Sequence, residues 1–315
     1  MSLILVVGVG RSGTSLFTGL LGRLGFQVPQ PEILADESNP RGFGEPKWVV
    51  DFHSGLMRRK RVTVFDARPA AWEKTAEISA DPAVVGELRA WLKSELAQAS
   101  DVVVKDPRIG WFLPLWQQVA EDVGPSPAFV QMLRHPAQIL TSAKKNYGTW
   151  QTDASRAAAW INVTLETERA TRGRPRAYVP YPSLLADWSA EVRRVGSVLG
   201  IERLASLNPA EHPEAAGLVD PSLFRNRTGW EGLEVPDRVI ELAEDVWAKI
   251  QAPDTGQLDA ARADYDALYG EAEAISQSSV TAVRPRKRAV QPTSARGKVV
   301  RRLPMGLRRV LRKLK

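Results

Sequence analysis

The chain has 315 residues, of which 43% are hydrophobic, and this length allows one large or two small α/β domains. It has no cysteine, which excludes disulfides, thiolate metal sites and cysteine nucleophiles, and its three scattered histidines predict no metal site. The net charge of +7 is uneven: residues 281–315 hold 13 lysines or arginines and no acid, so that residues 1–280 are mildly acidic.

The first predicted element is a buried strand over residues 3–7, an apolar run rich in β-branched types. A glycine-rich turn, residues 8–15 (GVGRSGTS), follows it, and leucines at helical spacing then continue to Gly25. This order is typical of a phosphate-binding loop, because loop N–H groups and the helix N-terminus both attract an anion.

The turn departs from the Walker A pattern of nucleotide triphosphatases. Gly8 and Gly13 have the required spacing and Ser15 supplies the hydroxyl, but Thr14 replaces the lysine and Arg11 is the loop's one cation. Since phosphoryl transfer needs a cation at the β- and γ-phosphates and usually Mg²⁺, this loop better suits a 5′-phosphate without a metal.

The loop resembles the 5′-phosphosulfate loop of sulfotransferases that use 3′-phosphoadenosine 5′-phosphosulfate (PAPS), in the tyrosylprotein, Golgi and bacterial branch. In that branch the loop cation is often arginine. An ordinary nucleotide loop, or a turn without a ligand, is the alternative. The resemblance implies that the 5′ end of this donor is bound by Gly10, Arg11, Ser12, Gly13, Thr14 and Ser15.

Residues 29–44 predict a loop, which together with the basic cluster at residues 58–61 is expected to shape the acceptor pocket. Pro46 precedes a predicted helix. The phrase NPRGFGE, residues 39–45, resembles a segment of bacterial sulfotransferases. In related enzymes a glutamate from this region takes the acceptor proton, which makes Glu45 the first candidate base and His53 the second. The alternatives are a helix-start carboxylate for Glu45 and simple packing for His53.

A helix over residues 82–99 leads into a predicted strand over 101–104, which ends in the sequence KDPR. Ligands bind at the carboxyl ends of parallel strands, so these polar residues are site candidates. The phrase resembles the family, which implies that Lys105 approaches the sulfonate and its bridging oxygen, with Asp106 and Arg108 arranging the site. Arg11 is a catalytic candidate with Lys105, since the two cations would offset the negative charge that grows on the bridging oxygen. A Walker B acid at Asp106 is the alternative, although a lysine directly before it argues against a metal.

The third predicted strand, residues 128–133, ends at Arg134 and is followed by a helix over 137–147. The resemblance implies that Arg134 and Ser142 bind the 3′-phosphate of the donor. An arginine suits this role because it offers a forked pair of donors to a phosphate. A second anion site would separate PAPS from ATP, which has no 3′-phosphate.

Further elements predicted along the chain are helices over 154–172, 182–199, 236–250 and 258–275 and a strand over 177–181. Tyr181 opens another family-like phrase and is a candidate for holding the adenosine, with core packing as the alternative. Arg225 and Arg227 lie in a polar loop of the kind that closes the donor pocket in the family, with solvated arginines as the alternative.

Residues 276–298 predict a flexible basic linker, and residues 299–315 a basic amphipathic helix. Such a helix suits an anionic membrane surface, and the lack of interleaved aromatic residues argues against nucleic acid. The alternatives for this segment are a solubilising tail and an oligomer contact, and the sequence does not define the oligomeric state.

No apolar run is long enough to cross a membrane and no signal peptide is recognised, so we expect a cytoplasmic protein. It would be peripheral on the inner membrane face if the basic helix binds lipid.

Together these patterns predict a three-layer, P-loop-type α/β fold over residues 1–275, with a mainly parallel sheet of four or five strands and helices on both faces. The predicted activity is transfer of a sulfonate from PAPS to a hydroxyl of a small-molecule or glycan acceptor, with the basic tail suggesting a saccharide or glycolipid, and without a metal. The alternatives are a P-loop small-molecule kinase and a non-catalytic, membrane-recruited nucleotide-binding module.

Overall fold

A computed structural model describes residues 1–37, 39–147, 151–220, 229–252 and 255–282 of the chain. Its centre is a parallel sheet of four strands, in the order β2-β1-β3-β4. The strands are β1 (Ser2–Val7), β2 (Asp101–Lys105), β3 (Ala128–Leu133) and β4 (Arg176–Pro180). Four strands in the described part of the chain confirm the predicted α/β class.

Helices connect and cover the strands. In chain order they are α1 (Thr14–Arg23), α2 (Lys47–Lys60), α3 (Ala71–Ser79), α4 (Pro82–Gln98), α5 (Leu113–Val123), α6 (Pro136–Tyr147), α7 (Asp153–Ala170), α8 (Tyr181–Ala186), α9 (Trp188–Leu199), α10 (Glu202–Ala205), α11 (Pro213–Ala216), α12 (Asp237–Gln251) and α13 (Thr255–Ala282). Two short 3₁₀ helices span Ile109–Phe112 and Pro209–Glu211.

The two faces of the sheet bury separate hydrophobic clusters. In β1, Leu3 and Leu5 belong to the larger cluster, with side chains of α2, α4, α5, α7 and α12. Ile4 and Val6 belong to the smaller one, with side chains of α1 and α9. Alternate residues of a strand point to opposite faces, so a strand covered on both sides must be apolar throughout. This burial explains the apolar run and confirms the three layers.

The helices differ from the predictions in several places. The single helix predicted over 182–199 is two helices, because Asp187 has an extended backbone and its side chain accepts a hydrogen bond from the Ala190 N–H (2.9 Å), capping α9. The helices α3 and α5 were not predicted. The last helix, α13, runs past the predicted end at residue 275 to Ala282.

Residues 1–269 form one compact unit, and residues 270–315 are assigned to a second, of which the structure describes 270–282 as helix. The rest of the predicted linker, the predicted basic helix over 299–315, Arg225 and Arg227 lie outside the described residues. In the parts of the chain that are described, no helix combines the length and apolar character needed to cross a bilayer.

Candidate functional site

The predicted phosphate-binding loop, residues 8–15, which we call the phosphate loop, connects β1 to α1 and turns through left-handed backbone conformations. Arg11 and Gly13 have φ angles of +74° and +99°. Gly13 also lies against Tyr181, since a Cβ atom at Gly13 would be 2.3 Å from the ring. No side chain caps the N-terminus of α1. The N–H groups of its first turn can therefore bind an anion.

The Gly13→Ala substitution is expected to damage this loop. A non-glycine residue in the left-handed region costs about 1–2 kcal/mol, and the added methyl group would collide with Tyr181. We expect a lower melting temperature and at least about a tenfold loss of affinity for adenosine 3′,5′-bisphosphate, measured by calorimetry.

Gly86→Ala is the matched control for this loop variant. Gly86 lies inside α4, and an added Cβ has no atom within 4 Å, so this change should be neutral or stabilise the chain by up to about 1 kcal/mol. Unchanged bisphosphate affinity in Gly13→Ala would contradict a role of the loop in binding.

Four residues predicted to bind the donor converge beside the loop. Arg11 Nε donates to Ser142 Oγ (3.0 Å), and Arg134 Nη1 donates to the backbone oxygen of Arg11 (3.0 Å). The guanidinium carbon of Arg134 lies 4.7 Å from the ring centre of Tyr181. These residues are up to 170 positions apart in the sequence. They meet because Arg11, Arg134 and Tyr181 follow the carboxyl ends of β1, β3 and β4, which lie at one edge of the sheet.

The Arg134 guanidinium is held in an environment that favours an anion. Burial lowers the pKa of Arg134, and the nearby charge of Arg11 lowers it further. Two guanidinium groups that repel each other would both be stabilised by a dianion bound between them. The cluster of Arg11, Arg134, Ser142 and Tyr181 can therefore bind a phosphate, and we call it the arginine cluster.

Lys105, at the end of β2, is almost fully buried with 2% of its surface exposed. Its ammonium group donates to Glu45 Oε1 (2.5 Å), to Ser15 Oγ (3.2 Å) and to the backbone oxygen of Phe43 (3.2 Å). These three acceptors match the three N–H donors of the ammonium group. Lys105 thus joins the phosphate loop to the candidate base.

Glu45 is buried and faces the cavity beside the loop. Burial raises the pKa of Glu45 above its ordinary value of 4.5, although the charge of Lys105 opposes the rise. A buried carboxylate with a raised pKa has the properties of a general base, because it binds a proton more strongly than an exposed one.

His53, the second candidate base, occupies a different environment. It is fully buried in α2, and Trp116 Nε1 donates to its Nε2 atom (2.9 Å). An indole nitrogen can only donate, so the proton of the neutral ring is on Nδ1, which bonds to Asp106 Oδ2 (2.7 Å). Both ring nitrogens are thus occupied by the protein, and this geometry favours Glu45 as the base.

Asp106 connects His53 to Arg108 beneath the site. Its other carboxylate oxygen accepts bonds from the backbone N–H of Arg108 (3.1 Å) and from its guanidinium (2.6 Å). Burial alone would raise the pKa of Asp106, but the bonds from His53 and the charge of Arg108 hold it below its ordinary value. The carboxylate therefore remains charged and positions its two partners.

The remaining predicted loop residues take different positions. Gly10, Thr14 and Ser15 line a cavity of about 360 Å³ together with Arg11, Glu45 and Lys105. Ser12 does not line it: its side chain is buried, and its N–H donates to the backbone oxygen of Val9 (3.2 Å).

The far wall of this cavity agrees only in part with the sequence, which predicts that the loop over residues 29–44 and the basic cluster at 58–61 shape an acceptor pocket: no residue of that cluster lines the cavity. Loop residues supply most of the wall, including Ile33, Phe43, Val64 and Phe65. Loops have no periodic pattern that would show which of their side chains face a site. The proline and glycine content of residues 29–44 predicted the loop itself, but no signal in the sequence identified its lining residues.

A family model described as the sulfotransferase family matches residues 4–205. No curated protein matches the chain.

Solved structures similar to this chain include three sulfotransferases of low sequence identity. The sulfotransferase domain of the Synechococcus PCC 7002 olefin synthase is 18% identical, with 81% of this chain and 95% of that chain covered and a TM-score of 0.46. The sulfotransferase domain of the curacin biosynthetic pathway is 14% identical, with 79% and 97% covered and a TM-score of 0.48. A sulfotransferase from Mycobacterium tuberculosis is 16% identical, with 79% and 76% covered and a TM-score of 0.41.

Proposed function

Because the chain belongs to the sulfotransferase family, we propose that it transfers the sulfonate group of PAPS to the hydroxyl of an acceptor. The products are a sulfate ester and adenosine 3′,5′-bisphosphate. The observation that supports this donor most directly is the arginine cluster, where the loop cation Arg11 meets Arg134 and Ser142. This cluster could bind a second anion beside the phosphate loop, which suits PAPS because PAPS carries phosphate at both the 3′ and the 5′ positions.

In the proposed mechanism, the loop N–H groups and Arg11 bind the 5′-phosphosulfate end of the donor, and Arg134 with Ser142 binds its 3′-phosphate. The ring of Tyr181, already packed on Gly13 and Arg134, lies beside the adenosine. These contacts orient the donor so that its sulfur faces Glu45 and Lys105.

Glu45 takes the proton from the acceptor hydroxyl, and the hydroxyl oxygen then attacks sulfur. Negative charge grows on the oxygen that bridges sulfur and the 5′-phosphate, and the ammonium group of Lys105 stabilises it. Lys105 is bonded to both Ser15 and Glu45 (3.2 and 2.5 Å). An anion on the loop would attract Lys105 away from Glu45, which would raise the pKa of Glu45 further and strengthen it as a base.

The Arg134→Ala substitution tests the donor. We expect the affinity for adenosine 3′,5′-bisphosphate, measured by calorimetry, to fall about 10- to 100-fold, since a hydrogen bond to a charged group contributes about 1.5–3 kcal/mol. The affinity for adenosine 5′-phosphate, which has no 3′-phosphate, should change little and reports on the integrity of the loop.

Arg134→Lys keeps the charge and should restore part of the lost affinity. Equal losses for the two nucleotides would contradict a 3′-phosphate site at Arg134. The same titration with ATP and Mg²⁺ tests the kinase alternative, which requires a preference for that ligand. Bisphosphate binding without sulfonate transfer to any acceptor would favour the non-catalytic module.

The proposals of membrane contact and of a saccharide or glycolipid acceptor rest on the sequence of the basic C-terminal end, residues 281–315. The described cavity gives independent information on the acceptor.

A further inference from the structure

The cavity beside the phosphate loop has a polar end and an apolar wall. Its polar end is formed by the loop, Glu45 and Lys105. Its wall comes from several separate segments and consists mainly of Ile33, Phe43, Val50, Val64, Phe65 and Pro107. All of these except Phe65 are only half-buried, so their apolar surface faces the open cavity. Apolar surface gathered in a concave site, with a few polar groups at one end, is typical of a ligand pocket.

The wall is attached directly to the catalytic pair. The N–H of Ile33 donates to the backbone oxygen of Glu45 (2.8 Å), and the backbone oxygen of Phe43 accepts from Lys105 (3.2 Å). Because Ile33 and Phe43 also line the cavity with Glu45, a molecule that presents its hydroxyl to Glu45 has this apolar wall close to its neighbouring carbon atoms. The residues of this wall thus contact the part of the acceptor next to the reacting hydroxyl.

Two ion pairs lie at this end of the cavity. Lys105 pairs with Glu45 (2.5 Å), and Arg108 pairs with Asp106 (2.6 Å). Arg11 is turned to the donor side, where it bonds to Ser142. An acceptor with a carboxylate or an amine near its hydroxyl would have to disrupt one of these pairs, and disrupting a buried pair is costly.

A polyhydroxylated acceptor fits this wall poorly. Outside the loop, Glu45 and Lys105, the polar side chains among the described lining residues are Asn39 and Arg108. The Asn39 amide already donates to the backbone oxygen of Gly42 (2.6 Å), and the Arg108 guanidinium already donates to Asp106 (2.6 Å). Sugar hydroxyls placed against valine, isoleucine and phenylalanine would lose their hydrogen bonds to water without replacement.

We propose that the acceptor is an uncharged alcohol whose carbon skeleton next to the hydroxyl is apolar, either aliphatic or aromatic, rather than a free saccharide or a hydroxy acid. This inference rests on the proposed function. In the transfer step, a bond forms between the acceptor oxygen and sulfur while the bond from sulfur to the 5′-phosphate oxygen breaks. The hydroxyl proton passes to Glu45, and adenosine 3′,5′-bisphosphate leaves.

Three alcohols of matched shape test the proposal: cyclohexylmethanol, methyl β-glucoside and 4-(hydroxymethyl)cyclohexanecarboxylate. Each carries a hydroxymethyl group on a six-membered ring. Their binding to the full chain saturated with adenosine 3′,5′-bisphosphate is measured by saturation-transfer NMR, and their turnover is measured with PAPS. We expect cyclohexylmethanol to bind and to have a kcat/KM at least about tenfold above the other two. Equal or better binding of either polar probe, or no binding of cyclohexylmethanol, would overturn the proposal.

Two neighbouring loop residues provide matched variants. Ile33 lines the cavity, whereas Leu34 does not and is 85% exposed. Ile33→Ser should raise the KM for cyclohexylmethanol about tenfold, and Leu34→Ser should leave it unchanged. Equal effects of the two substitutions would show that the wall does not bind the acceptor.

The experiment separates this inference from the proposed function. If the bisphosphate binds but a polar probe is preferred, the acceptor class is wrong and the donor assignment stands. If the bisphosphate does not bind, the proposed function fails. The three alcohols are then compared on the free protein, where the same preference and the same dependence on Ile33 still decide which class of ligand the cavity binds.

Discussion

Replacing Lys105 with methionine is expected to lower kcat by about a hundred- to a thousandfold, the range measured when one donor to a developing negative charge is removed. Methionine keeps most of the length and apolar surface of the lysine stem but has no charge. The substitution removes the bonds to Glu45, Ser15 and the Phe43 backbone together. The variant therefore lacks the link between the phosphate loop and Glu45. The leaving oxygen of the donor also loses the positive charge that Lys105 would place beside it.

Affinity for adenosine 3′,5′-bisphosphate should fall much less than kcat, because the arginine cluster and the loop N–H groups remain. The variant is expected to fold: without Lys105 the buried Glu45 carboxyl binds a proton, which avoids an isolated buried charge. Lys93→Met, at an exposed position of α4, is the control for loss of a lysine and should retain full activity. A kcat near that of the unchanged protein, with the bisphosphate bound normally, would contradict a role for Lys105 in the transfer.

The meeting of Arg11, Arg134 and Ser142 could be predicted from the sequence because the topology of a parallel sheet does most of the positioning. Polar residues that follow the strands lie at one edge of the sheet, whatever their distance along the chain. Arg11 and Arg134 follow β1 and β3, which are hydrogen-bonded neighbours, so their meeting could be anticipated. Ser142 is about two helical turns into α6 and reaches the same place.

The acceptor side could not be predicted in the same way, because it depends on the paths of loops. The distance from Ile33 or Val64 to Glu45 is set by turns and by single backbone bonds, such as that from Ile33 to the Glu45 carbonyl. The environment of His53 could not be predicted from the sequence either. Its position on a helix is compatible with catalysis or with packing, and contacts with Asp106 and Trp116, which are distant in sequence, decide between them.

The Glu45→Gln substitution is expected to lower kcat by about 10²- to 10⁴-fold, the usual contribution of a general base. Glutamine has the shape of glutamate and its amide oxygen can still accept the bond from Lys105, so bisphosphate affinity should be retained. The pH profile gives a second and more specific readout. As the proposed general base, Glu45 would act only when deprotonated, so in the unchanged protein kcat/KM for the acceptor should fall as the pH falls through the pKa of this group.

Because burial raises that pKa, the acid limb of the profile should lie above pH 4.5, the ordinary value for glutamate. The pH profile of the small residual activity of the Glu45→Gln variant should lack this acid limb. Glu95 is a matched control: it is also buried (8% exposed), and burial raises its pKa too, but it bonds to Gln27 outside the cavity. Glu95→Gln should leave kcat and the acid limb unchanged. If the limb persists in Glu45→Gln, another group takes the proton and Glu45 serves only to position Lys105.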